Sequence, residues 1–306
     1  MTFADYAGKY EREYVATYMK PASQVVIKSH LRTLRKTFQG KPIGLTFGDV
    51  QPAIAGLIGQ GFAPKTVRNL WSTARAMMSH AKREGLVETI PEPAFPKDTI
   101  ADRDWFTMAE MQALIASEDR DALLWATLAE TGLRIGEVLA LRPQDIVLDR
   151  RAMIVDHSLF AGVHQAPKTL SSYRTLSLSI QLAKRLRAQV LGMTAPVTSR
   201  GIYGFLPKTL FTNSQGRAVW PTSALKRLQE KLRSLGFPVT GFHAFRRSSI
   251  SQLGDLGMPA GILAYRVGHA PPGMTGKYYR TSPDALKDRK WVELYGDLLF
   301  GEEGFK

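Results

Sequence analysis

The residues between positions 243 and 279 are of types that can cleave a phosphodiester. His243 and Arg246 stand three apart, His269 follows a glycine, and Tyr278 and Tyr279 come nine and ten residues later. An arginine can hold two phosphate oxygens in its planar fork, a histidine can exchange protons, and a tyrosine carries a nucleophilic oxygen. Each also has a structural explanation when taken alone: a buried histidine, a solvated arginine or a half-buried tyrosine.

Two regions far upstream offer the groups that such a site lacks. In ETGLRIGEVLAL two helical patterns are split by Gly132, and Arg134 opens the second with Glu137 one turn further on. An arginine there can bind phosphate oxygens beside the free amides of a helix N-terminus, and Glu137 can orient it. Lys168 lies in the polar turn APKTLSSYRT, from which it can reach a ligand. The structural alternatives are an ordinary ion pair and a solvated lysine.

The composition favours a polyanionic partner. The 306 residues hold 41 Lys and Arg against 27 Asp and Glu, a net charge of +14, which is typical of nucleic-acid binding although a generic basic protein would share it. The absence of cysteine excludes disulfides, thiol catalysis and Cys-ligated zinc. No apolar run approaches the roughly 20 residues of a membrane span, and MTFADYAGKY lacks the order of a signal peptide. We therefore expect an intracellular protein that does not enter a membrane.

The first 90 residues have helical periodicity. From position 65 to 84 the apolar residues fall within one arc of a helix, and Arg68, Arg75 and Lys82 recur every seven residues along its edge. This stripe favours a helix that lies in a DNA groove, with a solvated helix face as the alternative.

A proline-rich stretch predicts a boundary. Prolines at 91, 93 and 96 forbid a continuous helix, so residues 91–104 are expected to form an extended linker. Thr107 with Glu110 then has the form of a capping box that opens a new helix. Beyond it, residues 153–155, 157–160 and 175–178 have strand character, and stretches near 179–190 and 222–235 are helical. The pattern predicts a mainly helical fold with a small antiparallel sheet.

Read together, ETGLRIGEVLAL, PKTLSSYRTL, HAFRR, VGH and MTGKYY resemble, in order and spacing, the tyrosine recombinase (phage integrase) family. The resemblance covers nearly the whole chain and implies that family's two-domain architecture. Residues 1–90 would form a helical, SAM-like core-DNA-binding domain, residues 91–104 the linker, and residues 105–280 an α+β catalytic domain. Residues 281–306 would form a terminal helix that is passed to a neighbouring subunit.

The resemblance also implies a role for each matched position. Tyr278 would be the nucleophile, although its neighbour Tyr279 leaves the choice open, and Glu137 would support the first arginine. Arg247-Ser248 stands where many relatives have His-Thr, and Pro271-Pro272-Gly273 replaces a more usual Ser-rich loop, which bears on how the nucleophile is delivered. The remaining catalytic positions would be Arg134, Lys168, His243, Arg246 and His269.

The terminal stretch has two interpretations. Most of its apolar residues share one predicted helix face, namely Leu286, Trp291, Leu294, Tyr295, Leu298 and Leu299. This face either packs on the chain's own catalytic domain or, as the family resemblance implies, enters a pocket of the adjacent subunit.

The implied activity is site-specific DNA recombination through a 3′-phosphotyrosine and a Holliday junction, without metal, ATP or other cofactor. The implied partners are double-stranded recombination sites and three further copies in a tetramer on two duplexes, with a monomer in free solution. Accessory DNA-bending or directionality factors, and a cytoplasmic, nucleoid-associated protein of prokaryotic or phage origin, are also expected.

Other functions stay open at this point. The chain could be a non-catalytic DNA-binding regulator with a recombinase fold, a type IB topoisomerase or a telomere resolvase. A relative that has lost its enzymatic activity tends to lack a catalytic side chain, whereas each catalytic position matched here keeps the expected residue type. A metal site is disfavoured, because six histidines without cysteine provide few ligands at metal-binding spacing.

Overall fold

A computed structural model describes residues 1–97, 104–160, 163–165, 173–193, 209–269 and 287–301. The chain divides into two compact units, Met1–Ala101 and Asp102–Lys306, and each has its own hydrophobic core. Among the described helices, none is long and apolar enough to cross a bilayer.

Unit 1 is helical. The predicted buried arc of α5 is confirmed: Val67, Leu70, Trp71, Ala74, Met77, Met78 and Ala81 all lie in the core. Between α1 and α2 the chain takes a π-helical turn over Glu11–Val15. The helices are α1 (Phe3–Tyr10), α2 (Ala16–Tyr18), α3 (Pro21–Thr37), α4 (Phe47–Gly59) and α5 (Pro64–Arg83).

The chain after α5 runs back along unit 1 without helix or strand as far as residue 97. Gly85 adopts a left-handed φ of +75° at the turn. Gln51 then holds Ala94 at both backbone atoms, accepting from its N–H at 2.9 Å and donating to its carbonyl at 3.3 Å. Phe95 packs against the core of unit 1.

Unit 2 surrounds a three-stranded antiparallel sheet in the order β1–β2–β5, beside a β3–β4 hairpin. Its first helix opens with the predicted capping box of Thr107 and Glu110. The helices are α6 (Met108–Ile115), α7 (Ala122–Thr131), α8 (Ile135–Ala140), α9 (Ile180–Gly192), α10 (Pro221–Ser234), α11 (His243–Asp255), α12 (Ala260–Val267) and α13 (Arg289–Phe300). The strands are β1 (Ile146–Val147), β2 (Ala152–Val155), β3 (Ser158–Phe160), β4 (Val163–Gln165) and β5 (Arg174–Ser177).

This architecture confirms the predicted mainly helical fold with a small antiparallel sheet. Met153 pairs with Leu176 in the register of β2 and β5, and both side chains enter the core of unit 2. Two strands escaped prediction, because β1 has two residues and β4 has three, too few for a period-two pattern to be distinguished from a turn.

The terminal helix packs on its own unit, against α6, α7, α9 and α11. The predicted single apolar face is wrong in detail, because Tyr295 and Leu299 are buried whereas Leu294 and Leu298 are 45% and 47% exposed. At 3.6 residues per turn the buried face is centred nearer Val292, so Leu294 and Leu298 lie beyond its edge. Leu286 lies outside the described residues. Exchange of this helix between subunits stays a prediction.

Close contact between α13 and the start of α9 depends on Gly296. A Cβ at this position would stand 2.4 Å from Cβ of Ser179. We expect Gly296→Ala to lower the free energy of unfolding by about 1–3 kcal/mol, because the two helices must move apart. Chemical denaturation followed by circular dichroism measures this change.

The matched control is Gly254→Ala in α11. Nothing lies within 4 Å of the Cβ that this substitution adds, so unit 2 should be unaffected or gain up to about 1 kcal/mol. Equal destabilisation by both substitutions would contradict the packing argument.

Candidate active site

Arg134 and Glu137 lie at the start of α8, where the sequence predicts them. Gly132 ends α7 with a left-handed φ of +64°, and Arg134 precedes the first residue of α8. The Glu137 carboxylate accepts from the Arg134 backbone N–H at 2.9 Å and from its Nη1 at 3.3 Å. The Arg134 side chain is 47% exposed and that of Glu137 is 6% exposed. The arginine is thus oriented from behind while its guanidinium faces solvent.

A second arginine, Arg174, shares the same carboxylate. It lies at the start of β5 with a fully buried side chain, and its Nη2 and Nη1 stand 3.0 and 3.3 Å from the two Glu137 oxygens. Burial raises the pKa of Glu137, but Arg174 and Arg134 outweigh it, so the pKa lies below its usual range. Glu137 is therefore ionised at neutral pH.

Arg246 is a second buried cation of the site. It projects from the first turn of α11 and is 1% exposed. Its Nη1 donates to the Gly132 carbonyl at 2.8 Å, and its Nη2 donates to the Val267 carbonyl at 2.5 Å. Both carbonyls lie at the C-terminal ends of helices, where the partial charge is negative. Burial, and then the charge of Arg134, lowers the pKa of Arg246 to about 10, so it stays protonated at neutral pH.

Both predicted histidines lie beside these arginines. His243 is the first residue of α11, and His269 follows Gly268, which ends α12 with a φ of +67°. Burial lowers the pKa of both, with further lowering of the His243 pKa by Arg247, Arg246 and Arg134 and of the His269 pKa chiefly by Arg246 and Arg134. Both rings are consequently neutral at neutral pH.

The tautomer of His269 follows from its neighbour. Nη2 of Arg246 lies 2.9 Å from Nε2 of His269, and a guanidinium can only donate. Nε2 must therefore accept, which places the ring proton on Nδ1. His269 can offer that proton to an oxyanion without becoming charged.

The site is a concentration of positive charge. Arg134, His243, Arg246 and His269 influence one another electrostatically, and each lies on or beside the end of a helix. Such a set of fixed donors suits a bound phosphate. Lys168, Tyr278 and Tyr279 lie outside the described residues, so their roles stay predictions. Among the described residues no cluster of His, Asp or Glu is suited to hold a metal ion.

The predicted DNA-facing stripe of unit 1 is partly occupied by the chain itself. The returning segment places the Pro96 carbonyl beside Arg68, which donates to it, and Glu92 lies 3.4 Å from Arg75. The Arg68 guanidinium also covers the ring of Phe95 at 5.6 Å. Lys82 is exposed. DNA contacts by Arg68, Arg75 and Lys82 therefore stay a prediction, with two of the three already bonded in the free chain.

Comparison with known proteins decides the family. Residues 104–285 match the sequence profile of the phage integrase family. This chain belongs to that family of tyrosine recombinases. A XerC-like tyrosine recombinase of Caldanaerobacter subterraneus subsp. tengcongensis is 24% identical over 98% of this chain and 84% of its own length. The integrase of Mycobacterium phage L5 is 26% identical over 72% of this chain, which spans 60% of that integrase.

Solved structures share the fold. A Tn1549 transposon integrase in complex with a circular intermediate DNA superimposes with a TM-score of 0.76 at 20% identity, covering 96% of this chain and 99% of that one. A lambda integrase tetramer bound to a Holliday junction gives a TM-score of 0.66 at 17% identity, covering all of this chain and 80% of that one. The tyrosine recombinase fold therefore extends over both units.

Arg174 is the residue of the site that sequence reasoning missed. A signal was available in the alternation of Arg174, Leu176 and Leu178, which places the arginine on the buried face of its strand. An arginine at an inward-facing strand position requires a buried partner, and the acid at position 137 provides it.

The pKa values of the two histidines test the electrostatics. Replacing Arg134 by Gln removes a positive charge that disfavours protonation, so we expect the pKa of both His243 and His269 to rise. Histidine titrations by NMR measure this shift, with His243→Asn and His269→Asn assigning the signals.

Arg227→Gln provides the comparison, since Arg227 pairs with Asp121 instead and should leave both titrations unchanged. Unaltered histidine pKa values in Arg134→Gln would show that the charges do not converge.

Proposed function

We propose that this tyrosine recombinase is a site-specific DNA recombinase that cleaves and rejoins strands through a 3′-phosphotyrosine. The observation that carries the proposal is the cluster of Arg134, His243, Arg246 and His269, oriented by Glu137. Lys168 and Tyr278, the two remaining positions of the proposed set, fall within the matched residues 104–285.

The attacking step uses Tyr278. A phenol with a pKa of about 10 is protonated at neutral pH, so it must lose its proton as its oxygen attacks phosphorus. We assign that proton to His243, because its lowered pKa leaves the ring neutral, whereas Nε2 of His269 is committed to Arg246. Arg134 and Arg246 then stabilise the non-bridging oxygens, and Nδ1 of His269 donates a hydrogen bond to one of them.

The leaving step frees a 5′-hydroxyl. As the bond between phosphorus and the tyrosine oxygen forms, the bond to the 5′ oxygen breaks, and Lys168 protonates that oxygen. The phosphotyrosine replaces the phosphoester bond to the 5′ oxygen by one to the tyrosine oxygen, so the number of phosphoester bonds is unchanged. A 5′-hydroxyl from a second strand can therefore attack the phosphotyrosine without ATP. Two such exchanges on paired duplexes pass through a Holliday junction.

The proposed partners follow from this cycle. Strand exchange between two duplexes requires four nucleophiles, hence a tetramer on two recombination sites, and the lambda integrase relative was solved as such a tetramer on a Holliday junction. We propose that the chain is a monomer before it binds DNA. Arg68, Arg75 and Lys82 are proposed DNA contacts of unit 1, and accessory DNA-bending or directionality factors are proposed further partners.

A suicide substrate tests the reaction. A nick close to the cleavage site lets the short strand carrying the 5′-hydroxyl diffuse away, so the wild-type chain should accumulate a covalent protein–DNA adduct. Tyr278→Phe lacks the nucleophilic oxygen and should form none. The adduct is measured by denaturing gel electrophoresis.

Tyr279→Phe is the matched control, and it should retain the adduct. The reverse pattern would assign the nucleophile to Tyr279. No adduct from the wild-type chain on DNA that it binds specifically would favour a non-catalytic DNA-binding regulator instead.

Chelation tests the proposed chemistry independently. The two arginines, the lysine and the histidines supply the charge that a metal ion would otherwise provide. Adduct formation should therefore proceed at the same rate in excess EDTA as in magnesium. An absolute requirement for magnesium in the cleavage step, with DNA binding intact, would refute this mechanism.

A further inference from the structure

Arg174 is a buried cation to which the proposed mechanism gives no role. Its side chain is 0% exposed, and a buried charge is retained only where its surroundings compensate it. Its side-chain hydrogen bonds to Glu137 and to the Arg266 carbonyl lead to the two parts of the chain that carry Arg134 and His269. The position of this arginine therefore needs an explanation beyond the stability of β5.

On one side, Arg174 contacts Glu137, the residue that orients Arg134. Its two terminal nitrogens face the two oxygens of Glu137 at 3.0 and 3.3 Å, as a fork. The same carboxylate bonds the backbone and the side chain of Arg134. A carboxylate fixed by a buried fork cannot turn with its exposed partner, so the direction of Arg134 is set through Glu137.

On the other side Arg174 holds the end of α12. Its Nε donates to the Arg266 carbonyl at 2.8 Å. Gly268 packs so closely on the guanidinium that a Cβ there would lie 2.9 Å from Nη1 and 3.0 Å from Cζ. The next residue is His269, and the preceding Val267 gives its carbonyl to Arg246. The Arg174 side chain thus contacts both Glu137, which orients Arg134, and the end of α12, which precedes His269.

Arg174 also sets the charge of the site. With Arg134 alone as a partner, ionised Glu137 would cancel the charge that Arg134 offers to the phosphate. Two arginines on one carboxylate leave a net positive charge, and Arg134, the exposed member, presents it. Both terminal nitrogens of Arg174 face Glu137 and its Nε donates to the Arg266 carbonyl, so we assign it no phosphate contact.

We propose that Arg174 is a positioning residue for strand cleavage, which aligns Arg134 through Glu137 and aligns His269 and Arg246 through the end of α12. This inference rests on the proposed recombinase activity. It predicts a defect in the chemical step that is separate from DNA binding and from folding.

Single-turnover adduct formation on the nicked substrate tests it. We expect Arg174→Met to slow adduct formation by about 100-fold, the scale expected from a misplacement of roughly 1 Å, while specific DNA affinity changes less than about threefold. Arg174→Lys keeps the charge but loses the fork, and its rate should fall between those of Arg174→Met and the wild type. This variant also preserves the test if Arg174→Met does not fold.

The pH profile distinguishes positioning from a merely structural role. The charges that face Glu137 are those of Arg134, Arg174 and Arg246. Removing Arg174 raises the pKa of the buried Glu137 carboxyl, because burial then outweighs the remaining arginines. Below that raised pKa Glu137 is protonated and releases Arg134, so the Arg174→Met rate should fall as pH decreases. Wild-type Glu137 stays ionised, so the wild-type rate should lack this decline and should fall only where His243, the proposed proton acceptor, becomes protonated.

A double variant asks whether Arg174 acts through Glu137. Glu137→Gln removes the carboxylate, so adding it to Arg174→Met should cost little further rate and should leave only the acidic decline that protonation of His243 causes. Effects of the two substitutions that multiply would overturn the proposal.

Arg227→Met is the matched control. Arg227 forms a two-point pair with Asp121, which is 4% exposed, so its loss also takes the closer of two arginines from a buried carboxylate and leaves Arg120 at 3.9 Å. Its adduct rate should match the wild type. Wild-type rates in Arg174→Met, or equal losses in Arg174→Met and Arg227→Met, would overturn the inference alone. Failure of the wild-type chain to form an adduct would instead overturn the proposed function.

Discussion

The candidate site keeps the positive charges of Arg134, Arg174 and Arg246 close together, partly buried, with no phosphate to neutralise them. Two like charges 4 Å apart repel by about 4 kcal/mol at the effective dielectric of a protein surface. The fold offsets this repulsion in two ways. Arg246 lies against carbonyls at the ends of α7 and α12, whose dipoles are negative there. Arg134 and Arg174 share the Glu137 carboxylate. The donors are fixed in advance, so the phosphate of the proposed reaction would relieve the repulsion at little cost in ordering.

The same charges determine the protonation of the two histidines. Burial and the neighbouring arginines lower the pKa of both His243 and His269, so each ring is neutral before DNA arrives. Arg246 donates to Nε2 of His269 and leaves that ring a donor through Nδ1. His243 is then the ring that can accept a proton. The arginines therefore determine both the charge of the proposed phosphate site and the protonation of the two histidines beside it.

Much of this architecture was predictable because it rests on local rules. The capping box at Thr107, the glycine break at Gly132 and the buried arc of α5 each follow from a few neighbouring residues. The contacts that the sequence did not predict arise where distant parts of the chain meet. Arg68 and Arg75 have a plain solvated pattern, yet the returning segment bonds both. Arg174 became part of the site through Glu137, 37 residues earlier, and no local pattern reveals that pairing.

The terminal helix joins this system through Arg266, whose backbone oxygen accepts from Arg174. The Arg266 side chain is fully buried, ion-pairs with Asp288 and donates to the Glu130 carbonyl at 3.1 Å. Asp288 immediately precedes α13. A buried arginine that loses its carboxylate is strongly destabilising, by about 3–5 kcal/mol. If α13 is exchanged between subunits, a hinge after Asp288 keeps the pair with Arg266 within one chain, whereas a hinge before it requires an equivalent acid from the other subunit. Asp288, which neutralises Arg266, is thus directly adjacent to the first residue of α13.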